Sequence, residues 1–179
     1  MENSEDIFSV NEQEVMEHYG LKGFTGKIKL KLKMLRSWIL HYIAYSSPLS
    51  NFGISIQRSR GVIIGKNCHL SPYVLIDLVY PELVKIENNV TLGSNSMIFA
   101  HINPTANINL KKTHYPRKVA KVTIKSGAVI NPGAIITAGV TVGKNAIVSI
   151  GSAVFEDVPD NCVVLGNPAR VVKKLDLDN

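Results

Sequence analysis

The chain has 179 residues, of which 45% are hydrophobic and 19% charged, and its formal net charge is +6. That balance excludes a disordered chain and allows one sizeable core, or one core with a small appendage. Two cysteines, Cys68 and Cys162, exclude a disulfide framework and suit a reducing compartment.

The opening MENSEDIFSV is acidic where an export signal needs positive charge ahead of an apolar run, so no export is expected. No apolar run reaches the length of a membrane-spanning helix. Six of the fourteen acidic residues precede Phe24, which leaves the remainder more basic than the total suggests. A short helix around Asn11 to Tyr19 carries no functional reading. Next, Leu35, Trp38, Ile39, Tyr42 and Ile43 follow helical spacing, with Pro48 just beyond the helix end. Lys27, Lys29, Lys31, Lys33 and Arg36 crowd the same segment. Two readings of it stand side by side: a helix packed on the base of the next unit, and a basic amphipathic helix resting on an anionic membrane surface. Arg170, Lys173 and Lys174 form a second basic cluster near the end of the chain. Such clusters attract nucleic acid, anionic lipid or a phosphorylated cofactor.

From Ile64 the sequence repeats every six residues. The leading positions are Ile64, Leu70 and Ile76; after a slip of four residues, Ile86, Leu92 and Ile98; and after a long interruption, Ile124, Ile130, Ile136, Val142, Val148 and Val154. Four places on, in the last block, stand Ala128, Ala134, Val140, Ala146, Ser152 and Val158, mostly small. Three places on stand Asn67, Tyr73, Asn89, Asn95, Gly127, Gly133, Gly139, Asn145, Gly151 and Asp157. All but Tyr73 are Gly, Asn or Asp, the residues that tolerate positive φ. The pattern predicts short strands that bend at every hexad. Three hexads then make a triangular rung, and rungs stack as parallel strands about 4.8 Å apart. An ordinary sandwich has no reason to keep both phases through six consecutive hexads.

The repeat breaks between Ile98 and Ile124, and residues 99–123 are expected to leave the stack as a loop. Loops on a rigid scaffold are common homes for function. His101 stands where the loop departs and His114 well out along it. From the residues alone, His101 reads equally as a catalytic group or as a turn histidine satisfied by backbone. His114 reads as a solvated loop residue, or as a contact to an acceptor or neighbouring subunit.

These hexads, with the tail VVLGNPARVVKKL from Val163 to Leu175, resemble the hexapeptide-repeat acyltransferases. The resemblance implies an all-β fold: a left-handed parallel β-helix with an N-terminal helical segment and a short, basic C-terminal helix. The divisions expected are a helical segment at 1–60, the β-helix at 61–162 with its extruded loop at about 99–123, and a capping turn and helix at 163–179. It also implies an acetyl-CoA-dependent acetyltransferase that works as a homotrimer, with sites between subunits. The stretch KIENNVTLGSNSMIFAH puts His101 in the place of the family's general base, and imidazole can accept a proton near neutral pH. Transfer would be direct, in a ternary complex. Acetyl-CoA would be lined by Pro132, Gly133, Ala138, Gly139, Ile150 and Gly151, with Arg170, Lys173 and Lys174 near its phosphates. Three departures stand out: Ile150 in a tight place usually small, Glu156 where relatives often have lysine, and Glu87 in place of a repeat glycine. The N-terminal segment, repeat and cap together look most like bacterial acetyltransferases of surface-polysaccharide assembly, which act on sugars at the cytoplasmic face of the membrane. Asp77 and Asn103, flanking the inferred groove, are candidates to touch sugar hydroxyls.

Acetylation of an amino sugar or of serine would use the same site. A β-helix carbonic anhydrase needs three histidines in close array, and His69, His101 and His114 lie 32 and 13 residues apart, so no metal is expected. A non-catalytic scaffold would not need His101 or GNPAR. The chain has no room for the extra domain of a sugar nucleotidyltransferase, and no aromatic-and-basic pattern of a nucleic-acid reader appears.

Overall fold

The computed structural model describes residues 6–102 and 105–176. Three helices come first: α1 (Ile7–His18), α2 (Gly23–Ser46) and α3 (Ser50–Arg60). Asp6 caps α1 by accepting from the Phe8 N–H, and Gly61 ends α3 in the left-handed conformation. The three-sided stack follows. One face orders β1 (Ile63–Ile64), β4 (Val84–Ile86), β9 (Val122–Ile124) and β12 (Thr141–Val142). The next orders β2 (His69–Leu70), β5 (Thr91–Leu92), β10 (Val129–Ile130), β13 (Ile147–Val148) and β15 (Cys162–Gly166). The third orders β3 (Leu75–Ile76), β6 (Met97–Ile98), β11 (Ile135–Ile136) and β14 (Ala153–Val154).

The register follows the hexad. Ile64 pairs with Ile86, Ile86 with Ile124 and Ile124 with Val142. Leu70, Leu92, Ile130 and Val148 form the second column, and Ile76, Ile98, Ile136 and Val154 the third. These side chains point inward, and Ala128, Ala134 and Ala146 fill the corners, all fully buried. The slip of four residues is taken up by a 3-10 turn at Pro81–Leu83. Glu87, standing for a repeat glycine, uses its carboxylate to accept from the backbone and side chain of Ser126 on the next rung.

Nine of the ten turn positions have positive φ. Among them is Tyr73, at φ +66°, whose N–H donates to the Tyr45 carbonyl at 2.7 Å while its ring meets Tyr45 edge-on. An aromatic residue there costs on the order of 1–2 kcal/mol, and the packing of α2 on the rung holds it. Asp157 is the exception: instead of supplying a left-handed turn, it accepts from the Thr141 N–H at 2.7 Å.

Two expectations need correction. The fold is mixed, not all-β, because α1 to α3 form a substantial helical layer against the prism. Nor do the described residues end in a helix: β16 (Ala169–Lys174) turns back antiparallel to β15. Val171 and Val172 favour extended backbone, and the unpaired edge of β15 supplies the partner that a helix would leave empty.

The columns generate a stability test. Ile130 is fully buried between Leu92 and Val148. Ile130→Ala should cost about 2–5 kcal/mol, read as a lowered urea midpoint with circular dichroism otherwise native.

Candidate active site

The loop between β6 and β9 leaves the stack as an antiparallel ribbon, β7 (His101–Ile102) with β8 (Lys118–Val119), carrying the short α4 (Ile108–Thr113) beyond it. Helix α1 docks onto this loop. The Lys111 ammonium donates to Asn11 Oδ1 at 2.6 Å and to Glu14 Oε2 at 2.7 Å, and Arg117 lies 3.7 Å from Glu14. The N-terminal acidic stretch, which had no sequence-based reading, thus becomes one wall of the site.

His101 sits at the root of the ribbon with its side chain 20% exposed, and its Nδ1 lies 2.6 Å from Asp77 Oδ2. Asp77 Oδ1 accepts from the N–H groups of Val79 and Tyr80, and Oδ2 from those of Ala100 and His101. Burial alone would raise the Asp77 pKa. The bonds from the His101 ring and the backbone amides outweigh it and hold the carboxyl below the usual carboxylate range. An ionised carboxylate only accepts, so Nδ1 carries the imidazole proton and Nε2 remains the acceptor. Tyr80 packs edge-on against the ring, centroids 5.5 Å apart.

Asp77 was expected to meet a sugar. Its side chain is fully buried and both oxygens are engaged, so it orients His101 instead. Behind it the buried Arg60 donates to the Asp77 carbonyl at 2.7 Å and also contacts Ser37, Gln57 and His41. Burial, then the neighbouring Arg60 charge, lowers the His41 pKa to about 4, so that ring stays neutral.

An open cleft of about 430 Å³ lies next to two neighbours of His101; Glu14, Glu17, His18, Tyr80, Arg117 and Val119 line it, and His101 itself does not. Tyr80 packs on His101, and Val119 is its cross-strand partner. Arg117 is nearly buried, its guanidinium 5.3 Å above the Tyr80 ring, and its Nε has no hydrogen-bond partner. Sequence reasoning missed these groups because α1 and the ribbon meet only in the fold. A larger cavity of about 490 Å³ lies between α1 and the start of α2 and includes neither His101 nor Tyr80.

The remaining expected residues separate. His114 is exposed, its Nδ1 2.7 Å from Thr113 Oγ1, and does not line the cleft. Asn103 lies outside the described residues. Pro132, Gly133, Ile150 and Gly151 share the corner between the second and third faces, where the Gly151 N–H donates to the Pro132 carbonyl. Ile150 is 71% exposed there. Gly139 shares the next corner with the root of the loop, close against Lys118. Ala138 is wholly buried and has no surface to offer a ligand, which corrects its expected role. Arg170, Lys173 and Lys174 are exposed on β16, with Arg170 3.7 Å from Glu156. Among the described residues, no three His, Cys, Asp or Glu side chains are grouped to hold a metal ion.

Because the Asp77 pKa is lowered in the fold, its contribution to stability is present above the unfolded value of about 4 and is lost as pH falls through the folded value. Asp77→Asn should therefore destabilise the chain by about 1.5–3 kcal/mol near neutral pH. In urea melts across pH, the gap from wild type should close below about pH 4.

No family model matches the chain. It is 29% identical over 142 residues to YvoF of Bacillus subtilis, named as an acetyltransferase with no acceptor specified, covering 79% of this chain and 77% of that protein. It is 32% identical over 149 residues to the galactoside O-acetyltransferase of Escherichia coli, covering 75% of this chain and 58% of that enzyme. A hexapeptide-repeat-containing acetyltransferase of Vibrio cholerae O1 biovar eltor, solved with acetyl coenzyme A, superposes with a TM-score of 0.63 at 19% identity, covering 92% of this chain and 98% of that one. At that identity the likeness concerns the fold alone.

Proposed function

The chain belongs to the hexapeptide-repeat acetyltransferase family, and we propose that it moves an acetyl group from acetyl-CoA to a hydroxyl of a sugar or polysaccharide precursor, with His101 as general base. The observation that carries this reading is the Asp77–His101 pair at the root of the loop, beside the cleft. Asp77 fixes the tautomer that leaves Nε2 free to accept. His101 takes the proton of the acceptor hydroxyl as its oxygen attacks the thioester carbonyl. The carbon–sulfur bond then breaks, and the departing thiolate recovers the proton as free CoA.

The cleft suits a polyol. Glu14, Glu17 and His18 line it, and the two carboxylates can accept from hydroxyl donors. Acetyl-CoA is assigned to the exposed corner of Pro132, Gly133, Ile150 and Gly151 and to Gly139, with Arg170, Lys173 and Lys174 toward its phosphates. That lining residues come from two corners fits a long ligand laid along the prism between subunits of a homotrimer. The reaction belongs in the cytoplasm, where acetyl-CoA is available.

The test is release of CoA thiol from acetyl-CoA across a panel of sugars, nucleotide sugars, amino sugars and serine. His101→Ala should lower kcat by about 10²–10⁴-fold while acetyl-CoA still binds. Equal rates in the two proteins would remove His101 from the mechanism. Acceleration by amines alone would replace O-acetylation with N-acetylation.

A further inference from the structure

Helix α2 has two opposite faces. Gly26, Leu30, Ser37, His41 and Ala44 are buried against the rest of the molecule. On the far side Phe24, Ile28, Leu32, Leu35, Ile39 and Tyr42 recur at steps of three and four, an unbroken apolar stripe. Each is between 43% and 78% exposed. Trp38, 57% exposed and stacked on Tyr42, widens the stripe. The fold does not need this face, because α2 is already anchored through its other side.

The charges beside the stripe say what it meets. At 100° per residue, Lys29, Lys33 and Arg36 lie along one border and Lys27 and Lys31 along the other. The helix contains no Asp or Glu. Lys27 reaches Glu12 of α1, Lys33 lies over the Tyr19 ring and Arg36 donates to the Ser59 carbonyl; Lys29 and Lys31 are exposed. A second copy laid on this face would set basic borders against each other with no acid on the helix to answer them. An anionic lipid surface answers both borders and takes up the stripe between them. At 24 residues α2 is about 36 Å long. No helix among the described residues is long and apolar enough to cross a membrane, so α2 would lie in the plane of the interface.

We propose that the outer face of α2 binds an anionic bilayer, its apolar stripe among the headgroups and acyl boundary and its lysines on the lipid phosphates. Trp38 is the only tryptophan and reports directly on the stripe. The full chain would be mixed with vesicles of phosphatidylcholine and phosphatidylglycerol, and with phosphatidylcholine alone. Co-sedimentation and a blue shift of Trp38 emission are expected with the mixed vesicles, both weakened by high salt. Leu32→Glu with Leu35→Glu should abolish them while leaving the melting curve and soluble acetyl transfer unchanged, since both side chains face away from the core. Lys29→Ala and Lys31→Ala should each lower partitioning about fivefold. Three results would overturn the proposal. One is no shift with either vesicle. The second is equal binding to neutral and anionic vesicles. The third is a Trp38 spectrum already blue-shifted without lipid, with an oligomeric mass that falls in the double glutamate variant; that would assign the face to a second copy. Acetyl transfer in solution is read separately, so failure here leaves His101 untouched.

Discussion

The buried carboxylate of Asp77 is the constraint on which the site depends. Its two oxygens gather N–H groups from three places: the turn after β3, the residues just beyond β6, and the His101 ring. A bare carboxylate at that depth would be prohibitively costly, so all of these partners must be in place together. Departure of the loop, the bend at Val79 and Tyr80 and the aim of the imidazole are therefore one event. This explains how a histidine on an excursion of more than twenty residues is held like part of the core.

Much of the architecture was legible because its physics is periodic. A column position demands a side chain that fills the prism, and a corner demands one that tolerates positive φ, so each hexad carries two independent marks. Tyr73 shows where the marks weaken: its left-handed backbone is imposed by α2 and not by its own preference. The final hairpin was not legible for a related reason. A basic tail after a turn reads locally as a capping helix, but the stack ends on an open strand edge, and pairing that edge outweighs the local tendency.

The candidate site was half legible. His101 announced itself by standing where the repeat stops. Asp77 did not, because it looks like one more polar corner residue. Its role follows only from stacking the rungs, which sets its N–H on the Ile98 carbonyl and its carboxylate beneath the departing chain. The signal was present in principle: Asp77 follows column residue Ile76 directly, one rung before the break. Glu14 and Arg117 could not have been paired from sequence, since about a hundred residues separate them and α1 shows no periodicity that names its partner.

The two ends of α2's cross-section join the chemistry to the surface. Its inner face carries Ser37 and His41, both in contact with the buried Arg60 guanidinium. Arg60 in turn donates to the carbonyls of Ile76 and Asp77, the strand end that holds His101. Burial, only partly offset by the nearby Asp77 charge, lowers the Arg60 pKa to about 10, which still leaves it cationic at neutral pH. A charged group so enclosed depends on the polar partners around it, because without them it would be buried uncompensated. The helix that presents the apolar stripe is thus tied through a rigid polar cluster to the residue that orients His101. Any surface that fixes the orientation of α2 also fixes the orientation of the cleft, so a bound bilayer would set the direction from which an acceptor arrives.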